Sequence, residues 1–149
     1  MRTAPPSAAI SITPSSVDLV CVDPKRVHEI WPHVGPLLRA ACRRTELNAF
    51  ADIEADILSG RSLAWLAWSG SAVEAVAATI LINSEIGKVC IITACAGGDM
   101  KRWLPLIDHI ENYARGEGCT RVRIYGRKGW LRVLEGYEEK HIIMDKELG

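Results

Sequence analysis

The residues best suited to bind a ligand lie where an apolar run ends and a helix-like segment begins. Here the chain reads CIITACAGGDMKRW, with Gly97 and Gly98 at the junction and Lys101 and Arg102 just beyond it. A helix N-terminus that follows a glycine-rich turn presents free N–H groups and about half a positive charge, which suit phosphate. The pattern predicts a pyrophosphate site. The alternative is a tight turn that needs positive φ, because glycine pairs are common in turns.

A second group of cations follows the strand-like stretch at residues 121–124. Residues 126–130 read GRKGW and combine two cations, two flexible residues and an aromatic ring. This combination suits the phosphates of a ligand or the acidic surface of a partner. It equally suits a solvated turn in which Trp130 anchors the helical turn that follows. Both interpretations stay open.

Composition and charge exclude several classes of function. The chain of 149 residues carries 18 basic and 18 acidic residues, and 48% of it is hydrophobic. A balanced charge with no basic stripe argues against a dedicated nucleic-acid or membrane-surface binder. No apolar run approaches the roughly eighteen residues of a spanning helix, and the first residues lack the charged and apolar regions of a signal peptide. We therefore predict a cytoplasmic protein.

The cysteines and histidines do not form a recognisable metal site. The cysteines are odd in number and scattered, without a C-x-x-C pair: Cys21, Cys42, Cys90, Cys95 and Cys119. Such a pattern predicts reduced thiols in the core rather than disulfides. The histidines have no carboxylate or thiol at catalytic or metal-binding spacing: His28, His33, His109 and His141. We predict no metal.

The first half of the chain predicts an arm, a strand and two helices. Residues 1–16 are rich in Ala, Ser and Pro and predict a flexible arm, which leaves residues 17–149 as a single domain. Residues 17–22 predict a strand. Residues 27–41 have helical spacing, although Pro32 and Pro36 predict a kink or a split into two short helices. Apolar residues of 47–58 lie on one face of the next helix, which Gly60 ends.

The second half predicts a sheet. Its apolar runs are 63–68, 76–82 and 88–95, whose short connections indicate an antiparallel meander with helices on both faces. A helix follows at 100–114 with Asp99 as its N-cap, then a strand at 121–124, a helical turn at 130–134 and a last strand at 141–144. A single crossover helix predicts that the strands at 88–95 and 121–125 are parallel neighbours.

This order of elements, together with the glycine junction, resembles the GNAT superfamily of N-acetyltransferases. The resemblance extends from about residue 17 to 148, and the ending GWLRVLEGYEEKHIIMDKEL is similar to the family's closing helix, Gly-aromatic step and last strand. It implies an α+β fold, with a mixed, mostly antiparallel sheet of about six strands flanked by helices on both faces. The tail is short for the family's closing hairpin, which implies one last strand instead of two.

The resemblance also implies a cofactor site. Acetyl-CoA would be the co-substrate, with its pyrophosphate on the loop at residues 94–102 and its pantetheine arm between the strands at 88–95 and 121–125. The residues that this assigns to cofactor binding are Ala96, Gly97, Gly98, Lys101, Arg102 and Arg127. The family's loop usually reads Gln or Arg, two residues, Gly, one residue, then Gly or Ala, and ACAGGDMK matches it in part.

The catalytic residues follow the family only in part. Many members have a Tyr four residues before the Gly-aromatic step to protonate the leaving thiolate, and Arg132 stands there in this chain. Tyr125, at the end of a strand beside the implied cleft, is the candidate acid. The strand at 88–95 contains no Glu or Asp, so Glu85, just before that strand, is the nearest carboxylate and the candidate general base.

Two hypotheses follow. The first is an acyl-CoA-dependent N-acyltransferase that transfers an acetyl group to a small-molecule or protein amine by direct attack. Its acceptor would face residues 39–48, where Arg43 and Arg44 either favour an acidic acceptor or are a solvated helix end. The second is a GNAT-fold binding or structural module without activity, which the partial match of the loop and Arg132 at the tyrosine position favour. Segments similar to GR-x-GW occur in acetyltransferase-like proteins of phages and prophages, which suggests a virion-associated role for such a module. The candidate protein partners are a second copy, in a homodimer, or a phage protein, and a phage-borne protein would be located in the virion.

Overall fold

A computed structural model describes residues 17–98, 100–126 and 128–149, and leaves out the side chains of 100–103 and 128. Within these residues the central element is a five-stranded sheet in which the strands follow one another in chain order. The strands are β1 (Asp18–Cys21), β2 (Ser62–Trp68), β3 (Val73–Ser84), β4 (Gly87–Gly97) and β5 (Arg121–Ile124). The predicted arm at 1–16, the N-cap Asp99 and the cation Arg127 lie outside the described residues.

The pairing of the strands is mixed, as predicted. β1, β2, β3 and β4 pair antiparallel in succession, which confirms the meander. β4 and β5 pair parallel, which confirms the crossover through the intervening helix. The helices are α1 (Val27–Thr45), α2 (Phe50–Leu58) and α3 (Met100–Gly116), and a short 3-10 helix spans Lys128–Arg132.

Helices cover both faces of the sheet, because the strands are apolar on both sides. α1 and α2 cover one face, where Val34, Leu38 and Ile57 are almost fully buried against the strands. α3 covers the other face, where Leu106 and Ile110 pack with residues of β2, β3 and β4. These two clusters are the core. The α+β fold with helices on both faces is therefore confirmed.

α1 is not split, which corrects the expectation from its prolines. Pro32 and Pro36 lie inside one helix of 19 residues. Both prolines are exposed, so water can satisfy the carbonyls that lose a backbone donor. The opposite face of α1 is held on the sheet by Val34, Leu38 and Ala41.

The prediction of a last strand at residues 141–144 is wrong. The chain has no regular secondary structure after the 3-10 helix, and Ile142, Ile143 and Met144 are 74%, 61% and 87% exposed. An apolar run forms a strand only when another strand supplies its hydrogen-bond partners. Without the family's closing hairpin, this segment has no second strand of its own to pair with.

Candidate active site

The candidate site lies where β5 separates from β4. The two strands pair from Val89 to Ile92, and the last bond between them is donated by the Tyr125 N–H to the Ile92 carbonyl at 3.2 Å. β4 continues to Gly97, and along these last residues its described partner is β3 alone. The β5 side of residues 93–97 is therefore an edge of backbone groups without a strand beside it. This is where the sequence placed the pantetheine arm.

A β-bulge marks the point of separation. Thr79 is opposite Ile92 and Ala78 is opposite Ala94, so Thr93 is one extra residue in β4. The burial pattern shows the same shift, because Cys90, Ile92 and then Cys95 face α3 while Ala94 and Ala96 face α1. Bulges redirect backbone groups and are common beside active sites.

The loop between α1 and α2 holds the bulge. Asn48 Nδ2 donates a hydrogen bond to the Thr93 carbonyl oxygen at 3.2 Å, and the Thr93 hydroxyl lies 3.4 Å from the Ala78 carbonyl oxygen, to which it donates. The C=O and N–H of one trans peptide point in opposite directions. By fixing the Thr93 carbonyl, Asn48 therefore also fixes the direction of the Ala94 N–H. Sequence reasoning placed Asn48 near the acceptor but missed this contact, since no local pattern connects residues 45 positions apart.

The glycine junction leaves the backbone uncovered. Gly97 is the last residue of β4, and α3 begins at Met100. Gly98 is exposed and its φ is not in the left-handed region, so the tight-turn alternative, which needs positive φ, fails at Gly98. A Cβ at Gly98 would meet no atom of the described residues within 4 Å. The open space beside the first turn of α3 fits a phosphate group that approaches the free N–H groups there.

The structure brings some of the predicted cofactor residues together. Ala96 and Gly97 end β4, and Gly98 follows them directly before α3. Lys101 and Arg102 lie in the first turn of α3, but their side chains lie outside the described part of the chain. Arg127 is outside it altogether.

Of the two candidate catalytic residues, only Tyr125 lies at the separation of the strands. It is half-buried, follows β5 directly and lines a cavity there. Glu85 is exposed in the turn between β3 and β4, at the far end of β4. About 3.3 Å per strand residue places it roughly 20 Å from the bulge. The structure does not bring Glu85 and Tyr125 together.

A cavity of about 270 Å³ opens beside Tyr125. Its walls include Leu47 from the loop between α1 and α2, both faces of β5, and the C-terminal segment at residues 138–143. Trp130 closes one side and packs so tightly that a Cβ on Gly126 would lie 2.9 Å from its ring. Trp130 is therefore an anchor of the 3-10 helix, as one of the two interpretations of GRKGW predicted. A larger cavity of about 490 Å³ lies at the other end of β5, between α3 and residues 135–140.

Comparison with known proteins supports the same architecture. No family model and no curated protein matches the sequence. Solved structures do match. One is a protein of Clostridium acetobutylicum solved with acetyl-CoA and described as a predicted acetyltransferase, at 11% identity and a TM-score of 0.63, covering 89% of this chain and 96% of that one. An aminoglycoside acetyltransferase from an uncultured soil sample, solved with sisomicin, is 10% identical with a TM-score of 0.64, and the match covers 89% of this chain and 97% of that one. An acetyltransferase of Trypanosoma brucei is 15% identical with a TM-score of 0.63, and the match covers 89% of this chain and 100% of that one.

The chain has the GNAT fold. At 10% to 15% identity this likeness concerns the architecture and not the activity. Arg132, which the sequence pattern assigns to the position of the family's tyrosine, is exposed and does not line the cavity beside Tyr125.

Two thiols in the core of this GNAT fold are held in the neutral form. All five cysteines are free. Burial raises the pKa of Cys95, two residues after the bulge residue, to about 12, and it raises the pKa of Cys90 to the same value with a smaller contribution from Cys119. Both are neutral thiols at neutral pH, and the thiolate is the nucleophilic form.

Two further findings concern the described residues as a whole. They contain no group of three or more His, Cys, Asp or Glu side chains that would hold a metal ion. None of the helices in this part of the chain has the length and apolar character of a membrane span.

Proposed function

We propose that the protein is an acyl-CoA-dependent N-acyltransferase that transfers an acetyl group from acetyl-CoA to an amine. The observation that carries this proposal is the separation of β5 from β4 at the bulge, which opens an edge that leads to the uncovered glycine turn and the N-terminus of α3. The GNAT fold of solved acetyltransferases supports it.

Each part of the edge has a task in binding. The N–H groups of the first turn of α3 hold the pyrophosphate, and Gly98 leaves room for it. The pantetheine arm lies along residues 93–97, where none of the described strands pairs with β4 on its β5 side. The distance along β4 from Gly97 to Thr93 is roughly 13 Å, because four strand residues rise about 3.3 Å each. A pantetheine arm that runs this distance from the pyrophosphate brings the acyl group to the bulge.

The reaction is a direct attack. The amine nitrogen forms a bond to the acyl carbon, the bond from that carbon to sulfur breaks, and the nitrogen loses a proton to solvent, from which Tyr125 later regains the one it gives up. Backbone N–H groups fixed at the bulge stabilise the negative charge on the carbonyl oxygen. Tyr125 donates the proton that the leaving thiolate takes. Because Cys95 is a neutral thiol, no acyl-cysteine intermediate is part of the proposal.

The role of Glu85 as general base stays a prediction. Its position in an exposed turn allows proton transfer only through a chain of water molecules. The variant Glu85→Gln tests it, because loss of a general base typically lowers the rate on the order of 10²- to 10⁴-fold. An unchanged rate would exclude the role.

The alternative is an inactive module of the same fold, associated with a phage or a virion. Two observations favour an inactive module. Arg132 stands where the family's tyrosine would be, and the C-terminal segment exposes Ile142, Ile143, Met144 and Leu148. Large exposed apolar patches are typical of protein–protein contact sites.

A thermal-shift titration with acetyl-CoA separates the two functions. At a hundred times the dissociation constant, a ligand stabilises the native state by about 2.7 kcal/mol, which raises the melting temperature by several degrees. Gly98→Glu should abolish this shift, because its carboxylate occupies the pyrophosphate site. Gly116→Glu is the matched control, since Gly116 is also exposed, has no positive φ and would place its Cβ in open space at the other end of α3. No shift in the wild type, or equal shifts in both variants, would contradict the proposal.

A further inference from the structure

Arg123 is a cation in the wall of the cavity beside Tyr125. Its neighbours Val122 and Ile124 pack in the core on the α3 side, so strand alternation places Arg123 on the α1–α2 side of the sheet. α1 packs mainly over β3 and β4 and leaves this face of β5 to the cavity. Arg123 is paired with Ile91, one residue before the strands separate.

Of the other cations of this wall, Lys140 is already engaged with an acid. Lys140 Nζ lies 2.9 Å from Glu138 Oε1. Lys140 lowers the pKa of the Glu138 carboxyl, first through its hydrogen bond and then through its charge, and the charge of Arg121 adds a smaller effect of the same sign. Arg123 makes no hydrogen bond or ion pair with any residue that the structure describes. It is half-buried, and arginine stays protonated in proteins.

A half-buried guanidinium without a protein partner suits an anionic ligand. Its five N–H donors form a planar fork that matches a carboxylate or a phosphate with two parallel bonds. The volume of the cavity, about 270 Å³, equals that of roughly nine water molecules and fits a small molecule. Tyr125 lies two residues along the strand, roughly 7 Å away. A ligand with its acid on Arg123 would place an amine a few bonds away at the acyl group.

We propose that the acceptor is a small amine that carries a carboxylate or a phosphate, and that Arg123 binds this anionic group. The inference rests on the proposed function, because the acceptor amine must meet the acyl group at the bulge. It places selectivity in β5 and not in Arg43 and Arg44, which are exposed at the end of α1.

Matched pairs of amines test the inference. The acids are the proteinogenic amino acids and O-phosphoethanolamine, and the neutral partners are the amino-acid amides and ethanolamine. Thiol release from acetyl-CoA is measured with each pair in the wild type, in Arg123→Gln and in Arg115→Gln. Arg115 is an exposed arginine of α3 that bonds Asn112 and lines the other cavity, so its variant is the control.

We expect at least one acid to react on the order of tenfold to a hundredfold faster than its neutral partner, the range of a charge-assisted hydrogen bond. Arg123→Gln should remove this preference and leave the thermal shift with acetyl-CoA unchanged, while Arg115→Gln should keep both. Comparison of the phosphate pair with the carboxylate pairs shows which anionic group Arg123 binds. Equal rates within every pair, or a preference that survives in Arg123→Gln, would overturn the inference.

The proposed function and this inference fail in different ways. If acetyl-CoA does not stabilise the wild type, the proposed function fails. The same acids are then titrated calorimetrically into the protein alone. Binding that Arg123→Gln abolishes would still support an anion site, while no binding, or equal binding to both proteins, would overturn it.

Discussion

At the scale of single residues, the hydrogen bond from Asn48 to the Thr93 carbonyl is the contact that joins the two sides of the site. It ties the loop between α1 and α2 to the bulge of β4. The glycine junction was predictable because its signal is local, a glycine pair before a helical pattern. The hydrogen bond of Asn48 was not predictable, because nothing in the sequence distinguishes Thr93 from the other residues of its apolar strand. The bulge at Thr93 is visible only in the pairing of β4 with β3.

The variant Asn48→Ala should therefore affect chemistry more than cofactor binding. Loss of this hydrogen bond should lower stability by about 1 kcal/mol, a few degrees of melting temperature for a chain of this size. The bulge then loses its fixed direction, so we expect the kcat of acyl transfer to fall by at least about tenfold, while the thermal shift with acetyl-CoA persists.

Asn83→Ala is the control for this variant. Asn83 is exposed near the end of β3. We expect it to change neither kcat nor the melting temperature. If Asn48→Ala kept the wild-type kcat, the positioning role of Asn48 would be refuted.

At the scale of elements, the C-terminal segment is held without a strand of its own. Tyr137 OH donates a hydrogen bond of 2.7 Å to Glu111 Oε2 on α3, and the Tyr137 ring packs against the α3-side core. The three central strands were predictable because runs such as LAWLAW are apolar on both faces, and β5 because its polar and apolar residues alternate. The sixth was not, because the run HIIM specifies a strand only when a neighbouring strand is present.

Tyr137→Phe should loosen this segment in a pH-dependent way. Loss of a hydrogen bond to a carboxylate should lower the free energy of unfolding by about 1.5 kcal/mol at neutral pH. Burial, followed by the bond to Glu111, raises the pKa of Tyr137 above its ordinary value. A raised folded-state pKa gives a contribution that is complete below about pH 10 and is lost as the pH rises toward the folded-state value.

The difference in stability between wild type and Tyr137→Phe should therefore shrink above pH 10. Urea unfolding between pH 7 and 11 measures it. Both proteins should still lose stability in alkali, because burial, with a smaller contribution from Glu117, also raises the pKa of Tyr113, to about 12. A difference that stayed constant with pH would show that the phenol does not act through its ionisation.

At the scale of the whole molecule, the sheet determines where chemistry is possible. Chain-order pairing through β4, followed by one crossover helix, makes β4 and β5 parallel neighbours. Such a pair separates only where one strand ends or bulges. Here β5 ends opposite Ile92, and β4 bulges at the next residue, Thr93. The order of the elements was readable from the sequence because each element has its own periodicity. The cavity beside Tyr125 was not, since it depends on where the loop after α1 and the C-terminal segment meet β5.

The central claim is that acetyl-CoA lies along the β5 side of the end of β4. Amide chemical shifts measured during a titration with acetyl-CoA test this most directly, because each residue reports separately. We predict that the largest changes occur at residues 93–98 and 124–126, with little change around Glu111 and Arg115 at the larger cavity. Changes concentrated at that larger cavity, or none at millimolar acetyl-CoA, would contradict the claim.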